Sequence, residues 1–130
     1  MKRINLALAS VGLLALALSA CTAAPPSAGE GGDDEIVIAF LMPCSTCADR
    51  FESKDKPYFE EAVLALEPNA TVIANNAQGD AATQLQQAEA ALTNGADVIV
   101  VSPYTAEAGA AIVAKAEAAG AAVVAYDGLI

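Results

Sequence analysis

Residues 96–127, ADVIVVSPYTAEAGAAIVAKAEAAGAAVVAYD, contain one complete strand–helix–strand pattern. The short apolar runs Val98–Val101 and Ala122–Ala125 show no polar alternation, which is typical of strands that are covered on both faces. The alanine-rich segment between them begins near Thr105 and stops at Gly120. Threonine at the start and glycine at the end are common signals of helix termini. The stretch therefore predicts two strands joined by a helix.

The same pattern occurs earlier in the chain. Apolar runs at Ile36–Met42 and Thr71–Ala74 predict two further strands. A second helix is expected to begin after Asp80 and to stop at Asn94-Gly95. Apolar residues recur at helical spacing in all three predicted helices: Phe59, Val63 and Leu66; Leu85, Ala88 and Leu92; and Ala108, Ile112 and Ala119. Because strands that alternate with helices pair in parallel through right-handed crossovers, the sequence predicts a doubly wound α/β fold.

The predicted strand ends indicate where a ligand would bind. In doubly wound sheets, ligands lie beyond the carboxyl ends of the strands, near the point where the strand order reverses. Here those ends carry polar or aromatic residues, and they lie at Pro43 onward, Asn75-Asn76, Ser102-Pro103-Tyr104 and Tyr126-Asp127-Gly128. We therefore expect the functional residues to lie in these four loops.

The start of the chain indicates export. Residues 1–20 have a basic beginning and a long apolar stretch, which is the plan of a secretory signal peptide. A permanent membrane anchor is the alternative, because about 20 apolar residues can span a bilayer. Leu18-Ser19-Ala20-Cys21 resembles the lipobox of bacterial lipoproteins, and this implies lipidation of Cys21 and anchoring at the outer face of the cytoplasmic membrane. Residues 21–35 are rich in Pro, Gly, Ser and acid and predict a flexible tether, which leaves residues 36–130 as the folded part.

The composition excludes several classes of function. The chain has 6 basic and 16 acidic residues and no histidine. Such an acidic chain is a poor partner for nucleic acid and for anionic lipid surfaces. The lack of histidine removes metal centres and catalytic triads that depend on imidazole. No glycine loop of the kind that cradles phosphate is evident, so the sequence predicts no cofactor.

Several segments together resemble a known family. In order and spacing, they are similar to one lobe of the substrate-binding proteins of ABC sugar importers, in the ribose- and xylose-binding branch of the periplasmic binding proteins. The matching segments are Ile36–Pro43, Arg50-Phe51-Glu52, Ala96–Val101 and Ala125-Tyr126-Asp127. The resemblance implies a monomeric binder that is not an enzyme, holds a monosaccharide such as xylose or ribose, and passes it to permease subunits. A purine nucleoside or a signalling furanose is the alternative ligand.

The resemblance also implies an architecture. The expected strand order is 2-1-3-4, and residues 36–130 correspond to part of the first of two lobes, so the chain is expected to be a fragment. The fourth strand then lies at an uncovered edge, which is an aggregation liability.

The resemblance assigns a ligand role to Asp127. This residue closes the fourth predicted strand and matches an aspartate that accepts hydrogen bonds from sugar hydroxyls. The alternative is a turn residue before Gly128, because Asp is common in turns of this type. The family usually has arginine at the position of Gly128. Glycine cannot supply a guanidinium fork there, which leaves the identity of the sugar open.

The resemblance assigns ligand roles to two residues of the first loop as well. Arg50 matches a sugar-contacting arginine and Phe51 matches a neighbouring aromatic residue. For Arg50 the alternative is a surface ion pair with Glu52 or Asp55, which would contribute only about 0–1 kcal/mol. For Phe51 the alternative is a core anchor for the loop.

Two cysteines in the same loop, Cys44 and Cys47, allow several interpretations. Our interpretation is a local disulfide that stabilises the loop, because exported proteins meet oxidising surroundings. Cys-x-x-Cys is also the pattern of thiol–disulfide oxidoreductases, which is the alternative function. Pro43 before the pair and the polar segment Asp49–Lys56 after it argue against activation by a helix end. Half a zinc site and two free thiols are the remaining alternatives.

Overall fold

Four parallel strands form the sheet in this computed structural model, in which residues 35–130 are described. The strand order is β2-β1-β3-β4 and every pairing is parallel. The strands are β1 (Val37–Met42), β2 (Thr71–Asn76), β3 (Val98–Val101) and β4 (Ala122–Ala125). The doubly wound sheet and its order are therefore as expected, and β2 is two residues longer than its apolar run predicted.

Three helices connect the strands: α1 (Lys56–Leu66), α2 (Ala81–Thr93) and α3 (Ala106–Ala119). The predicted caps are confirmed. The Asp80 carboxylate accepts a hydrogen bond from Thr83 N–H at 2.6 Å at the start of α2. Gly120 ends α3 with a φ of 79°, a left-handed conformation that costs glycine little.

The two faces of the sheet are covered differently. On one face, α2 and α3 pack over β1 and β3 through a cluster made mostly of small residues: Ala39, Leu41, Ala88, Ala91, Ala96, Ile99, Val101, Ile112 and Ala116. On the other face, Phe40, Met42, Phe51 and Val100 form a smaller aromatic cluster that Phe59 of α1 joins. Phe40 stacks on Phe59 with ring centroids 4.6 Å apart. The single helix on this second face leaves the strands there less covered.

Two residues of the apolar helical pattern, Leu66 and Ala119, are exposed, and one expectation, the coverage of β4, is wrong. Leu66 is 81% exposed, because it is the last residue of α1 and lies beyond the contact that Phe59 makes with the sheet. Ala119 is exposed and Ala116 occupies the buried position in the last turns of α3 instead. β4 is not covered on both faces, since most of its residues are exposed.

The polar segment Asp49–Lys56, which we expected to separate the cysteines from the first helix, is itself largely helical. A helical conformation begins at Arg50, and a π-helical turn (Phe51–Asp55) runs directly into α1. Proline normally occupies the first turn of a helix, so Pro57 gives no indication of helical structure before it. The wider π-helical turn accommodates Pro57.

The predicted signal peptide, Cys21 and all but the last residue of the predicted tether lie outside the described residues. Within residues 35–130, no helix is both long enough and apolar enough to cross a bilayer.

Candidate functional site

The carboxyl ends of all four strands lie level with one another. Backbone N–H groups just beyond β2, β3 and β4 donate to carbonyls near the ends of the neighbouring strands: Ala77 to Met42 at 2.9 Å, Ser102 to Leu41 at 3.0 Å and Tyr126 to Val101 at 2.9 Å. The four predicted loops therefore begin on one side of the molecule. This is the side on which open α/β sheets bind ligands.

Arg50 and Asp127 lie together at this side. Nη2 of Arg50 forms an ion pair with Oδ2 of Asp127, although β3 separates the strands that precede the two residues. Nη1 of Arg50 lies 2.9 Å from Oδ2 of Asp55. The Arg50 side chain remains 41% exposed, so it can meet a ligand from the open side. The structure thus places the two predicted charged residues in contact.

The charges around Arg50 affect its pKa. Partial burial alone would lower the pKa of Arg50, but the hydrogen bond and negative charge of Asp127, followed by the charge of Asp55, outweigh it and raise the pKa. Arg50 is therefore a fixed cation that presents hydrogen-bond donors.

The backbone at Asp127 is left-handed, with a φ of 57°. Aspartate tolerates this conformation better than most residues because its short side chain can bond locally. This backbone geometry explains why an aspartate occupies the turn. Its carboxylate pairs with Arg50 but remains exposed, so it can also accept hydrogen bonds from a ligand. Both interpretations of Asp127 fit the structure at once.

Phe51 lies in the core rather than at the mouth of the site. It is 3% exposed and packs with Phe40, Met42 and Val100. The Arg50 guanidinium carbon lies 5.0 Å from the centroid of the Phe51 ring, within the range of a cation–π contact. The ring therefore anchors the loop and supports Arg50, and it has little surface left on which a sugar could stack.

Tyr126 packs against the aromatic cluster that contains Phe40 and Phe51. Its ring meets Phe40 edge-on, with centroids 5.4 Å apart. Burial raises the pKa of Tyr126, and a hydrogen bond with Asp55 and its charge raise it further, while Arg50 acts in the opposite direction. The phenol is therefore neutral at physiological pH and its hydroxyl can donate a hydrogen bond.

A second polar network at the ends of β1 and β2 was missed by the sequence interpretation. Asn76 Nδ2 donates to Glu52 Oε1 at 2.8 Å, and Gln78 Nε2 donates to Ser45 Oγ at 3.0 Å. Glu52 therefore hydrogen-bonds Asn76 and does not pair with Arg50. Within the described residues, the ion-pair partners of Arg50 are Asp55 and Asp127. Asn75-Asn76 at the end of a predicted strand was the signal that could have pointed to this network.

Gln84 of α2 also went unnoticed in the sequence. It is fully buried, donates to Ser102 O at 2.8 Å and accepts from Tyr104 N–H at 2.8 Å. These two bonds fix the loop after β3 against α2. Its signal was a polar residue on the same helical face as Ala88 and Ala91.

Cys44 and Cys47 are joined as a disulfide, with Cα atoms 5.4 Å apart. Cys44 is buried and Cys47 is exposed. The helical segment begins at Arg50, so neither sulfur lies at a helix N-terminus, where thiols of oxidoreductases are activated. This geometry does not favour the oxidoreductase alternative. Within residues 35–130, no three acidic or cysteine side chains cluster in a way that could hold a metal ion.

Comparisons with known proteins agree on one family. Residues 38–130 match the model of the periplasmic binding protein domain. The chain is 34% identical over 77 residues to the D-xylose-binding periplasmic protein of Escherichia coli (strain K12), which covers 59% of this chain and 23% of that protein.

Solved structures of ABC transporter solute-binding proteins have the same fold. One from Clostridium phytofermentans, with bound β-D-glucose, is 26% identical and has a TM-score of 0.63 over 72% of this chain and 28% of its own. A carbohydrate transporter solute-binding protein from Chloroflexus aurantiacus, in complex with D-glucose, is 27% identical, with a TM-score of 0.58 over 73% of this chain and 26% of its own. The chain thus spans about a quarter of the length of these relatives.

Proposed function

This chain belongs to the periplasmic binding protein domain family, and from that membership we propose that it is part of an extracytoplasmic sugar receptor that serves an ABC importer. In this proposal the full-length protein closes on a monosaccharide and delivers it to a membrane permease. The described residues supply one wall of the cleft. The single observation that carries the proposal is the Arg50–Asp127 pair at the carboxyl ends of the strands.

The chemistry of this pair suits a sugar. A carboxylate accepts hydrogen bonds from hydroxyl groups and a guanidinium donates them, and bonds to charged groups are the stronger ones. In the free state each group satisfies the other. A sugar hydroxyl can insert beside the pair, donate to Asp127 and accept from Arg50 without leaving either charge unpaired.

An aldopentose or a closely related aldose is the ligand that we propose. The name of the Escherichia coli relative supports xylose, while the two solved relatives named above carry glucose. At Gly128, where the resemblance implies arginine, an added Cβ would lie 3.3 Å from Cδ of Pro103. We propose that Arg50 supplies the guanidinium that donates hydrogen bonds to the sugar from this wall of the cleft.

We also propose that the chain works outside the cytoplasm. Family membership supports this location, and the signal-peptide plan of residues 1–20 agrees with it. Lipidation of Cys21 would then hold the protein at the membrane next to its permease. Mass spectrometry of the protein purified from membranes tests this point, because acylation adds the mass of the lipid to a chain that begins at Cys21.

The ligand role is tested by titrating xylose, ribose and glucose into the full-length protein in a calorimeter. Asp127→Asn removes the charge but keeps a residue that tolerates a φ of 57°. Asp127→Gly removes the carboxylate with no backbone strain at all. Loss of a hydrogen bond to a charged group costs about 1.5–3 kcal/mol, so both variants are expected to bind about 10- to 100-fold more weakly.

Asp49→Asn is the matched control, because Asp49 is also an exposed aspartate beyond a strand end, in the loop that precedes Arg50, and it forms none of the ion pairs of the described residues. It is expected to bind with unchanged affinity. If both Asp127 variants bind every sugar as tightly as the unmodified protein, Asp127 is a turn residue only and the proposed site is wrong.

A further inference from the structure

The π-helical turn Phe51–Asp55 is the least common feature of the site. Lys56 N–H donates to the Phe51 carbonyl five residues earlier, where an α-helix would use a residue four earlier. Pro57, next in the chain, has no N–H to continue the α-helical pattern. Turns of this type insert one extra residue into a helix and are frequent at functional sites.

The wider turn decides which residue faces Arg50. In an α-helix, residues five apart point about 140° away from each other, because each residue adds about 100°. Asp55 lies five residues after Arg50, yet its Oδ2 is 2.9 Å from Arg50 Nη1. In a regular α-helix the residue over Arg50 would be Lys54, and two like charges at that spacing repel each other. The wider π-turn brings the residue five positions later towards the same side as Arg50, which allows the ion pair with Asp55.

Asp55 is placed to hold Arg50 rather than to meet a ligand. Its side chain is only 11% exposed, whereas that of Arg50 is 41% exposed. Oδ2 of Asp55 is buried and has no hydrogen bond of good angular geometry among the described residues. Its contact with Arg50 is therefore an ion pair, which constrains the guanidinium mainly through charge. The ring of Phe51 supports the guanidinium carbon at 5.0 Å.

The two carboxylates that contact Arg50 thus have different surroundings. Asp127 is exposed at the open side, while Asp55 is enclosed beneath it. A hydroxyl that bonds both Asp127 and Arg50 would loosen their contact on one side of the guanidinium, while Asp55 holds the other side. Without Asp55, the same ligand would have to immobilise a long flexible side chain, and that ordering opposes binding.

We propose that Asp55, presented by the π-helical turn, is a positioning residue that preorganises Arg50 for the ligand. This inference rests on the proposed sugar site. Asp55 also interacts with Tyr126, but in this proposal it touches no ligand and affects ligand binding through Arg50.

The test is a double-mutant cycle in the full-length protein, with sugar affinity measured by calorimetry. Asp55→Asn removes the charge and keeps the shape, and it is expected to weaken binding about tenfold when Arg50 is present. In an Arg50→Gln background the same change is expected to alter affinity less than about twofold, because there is no guanidinium left to position. An equal loss of affinity in both backgrounds would show a general structural role and overturn the proposal.

A second measurement needs no ligand. The side-chain Nη1–H signal of Arg50 in nuclear magnetic resonance spectra, assigned by its disappearance in Arg50→Gln, is expected to be sharp and protected from exchange with water, because Nη1 contacts Asp55. In Asp55→Asn it is expected to broaden or vanish, while Asp49→Asn leaves it unchanged. If no sugar binds the unmodified protein, the proposed function fails, and this signal alone decides whether Asp55 holds Arg50. An unchanged signal in Asp55→Asn overturns the inference.

Discussion

At the scale of single residues, the charge of Asp80 matters as much as its shape. Its carboxylate caps α2, and the backbone hydrogen bond from Thr83 lowers the pKa of Asp80 below its ordinary value of 3.8. A lowered pKa means that the folded state favours the ionised form. The resulting stabilisation is present above the ordinary pKa and is lost as the pH falls through the lower pKa of the folded protein.

Asp80→Asn tests this linkage. Asparagine also caps helices well but does not titrate. The free energy of unfolding, measured with urea from about pH 6 down to about pH 2.5, is therefore expected to fall less steeply below about pH 4 in the variant than in the unmodified protein. Identical pH profiles would show that the charge of Asp80 contributes nothing.

Gly120 provides a second prediction at this scale. An added Cβ would meet no atom within 4 Å, so only the backbone conformation, with a φ of 79°, opposes a side chain there. Gly120→Ala is expected to lower the free energy of unfolding by about 1–2 kcal/mol. Gly120→Asn is expected to cost less, since asparagine visits this conformation more readily. Urea unfolding of the two variants side by side checks the order, and an equal cost for both contradicts it.

At the scale of secondary-structure elements, the two faces of the sheet differ in how much they can stabilise. The face under α2 and α3 contains most of the fully buried apolar residues, and Ile112 of α3 lies at its centre. The face under α1 has fewer, and α1 itself contributes no fully buried residue. Most of the stabilisation from apolar burial therefore comes from the first face.

Truncating one residue on each helix measures this difference. Ile112→Ala leaves a cavity in the packed cluster and is expected to cost about 2–5 kcal/mol. Leu66→Ala, in the exposed last turn of α1, is expected to change the free energy of unfolding by no more than about 0.5 kcal/mol. Urea unfolding of both variants is the measurement. A large loss in Leu66→Ala would mean that this turn is covered in the folded protein.

At the scale of the whole molecule, the uncovered side of β4 is the feature that can promote association with another chain. Within the described residues β4 pairs only with β3, and Val124 is 49% exposed. A cavity of about 430 Å³ beside it is lined mainly by α3, β4 and Ile130, and neither Arg50 nor Asp127 is among its lining residues. Unpaired, apolar strand edges are templates for association with another chain.

A chain that spans only residues 35–130 is therefore expected to self-associate as its concentration rises. Val124→Lys places a charge on β4 and is expected to reduce this association, because lysine on edge strands blocks pairing. Light scattering over a range of concentrations measures the effect. Glu117→Gln, which changes the net charge by the same single unit on α3 beside the same cavity but off the strand, is the comparison. If both variants reduce association equally, net charge and not the strand edge is responsible.

Much of the fold could be read directly from the sequence because its signals are local. The apolar runs, the caps at Asp80 and Thr105 and the end at Gly120 each depend on a few neighbouring residues, and each lies where it was expected. The order 2-1-3-4 followed from family resemblance, since propensity alone does not say which strands pair. The helical segment that begins at Arg50 was missed because residues 49–56 are mostly polar and show no apolar periodicity.

The charged part of the site was predicted only as a set of strand-end residues. Their carboxyl-end positions and the family resemblance indicated Arg50 and Asp127 together. The bond between Glu52 and Asn76 and the role of Gln84 were not predicted, because each joins residues from different elements. The burial of Phe51 was predicted only as the alternative to a ligand role. Such contacts depend on how helices and strands are oriented in three dimensions.

The sequence by itself determined the alternation of strands and helices, the positions of the caps and the loops that carry the charged residues. These features are set by backbone preferences and hydrophobic periodicity over short stretches of chain. Only the tertiary structure decided that Arg50 faces Asp55 and Asp127, and that the Phe51 ring is enclosed. The physical reason is that one extra residue in a helical turn rotates every side chain before it relative to those after it, and no local pattern in the sequence records that rotation.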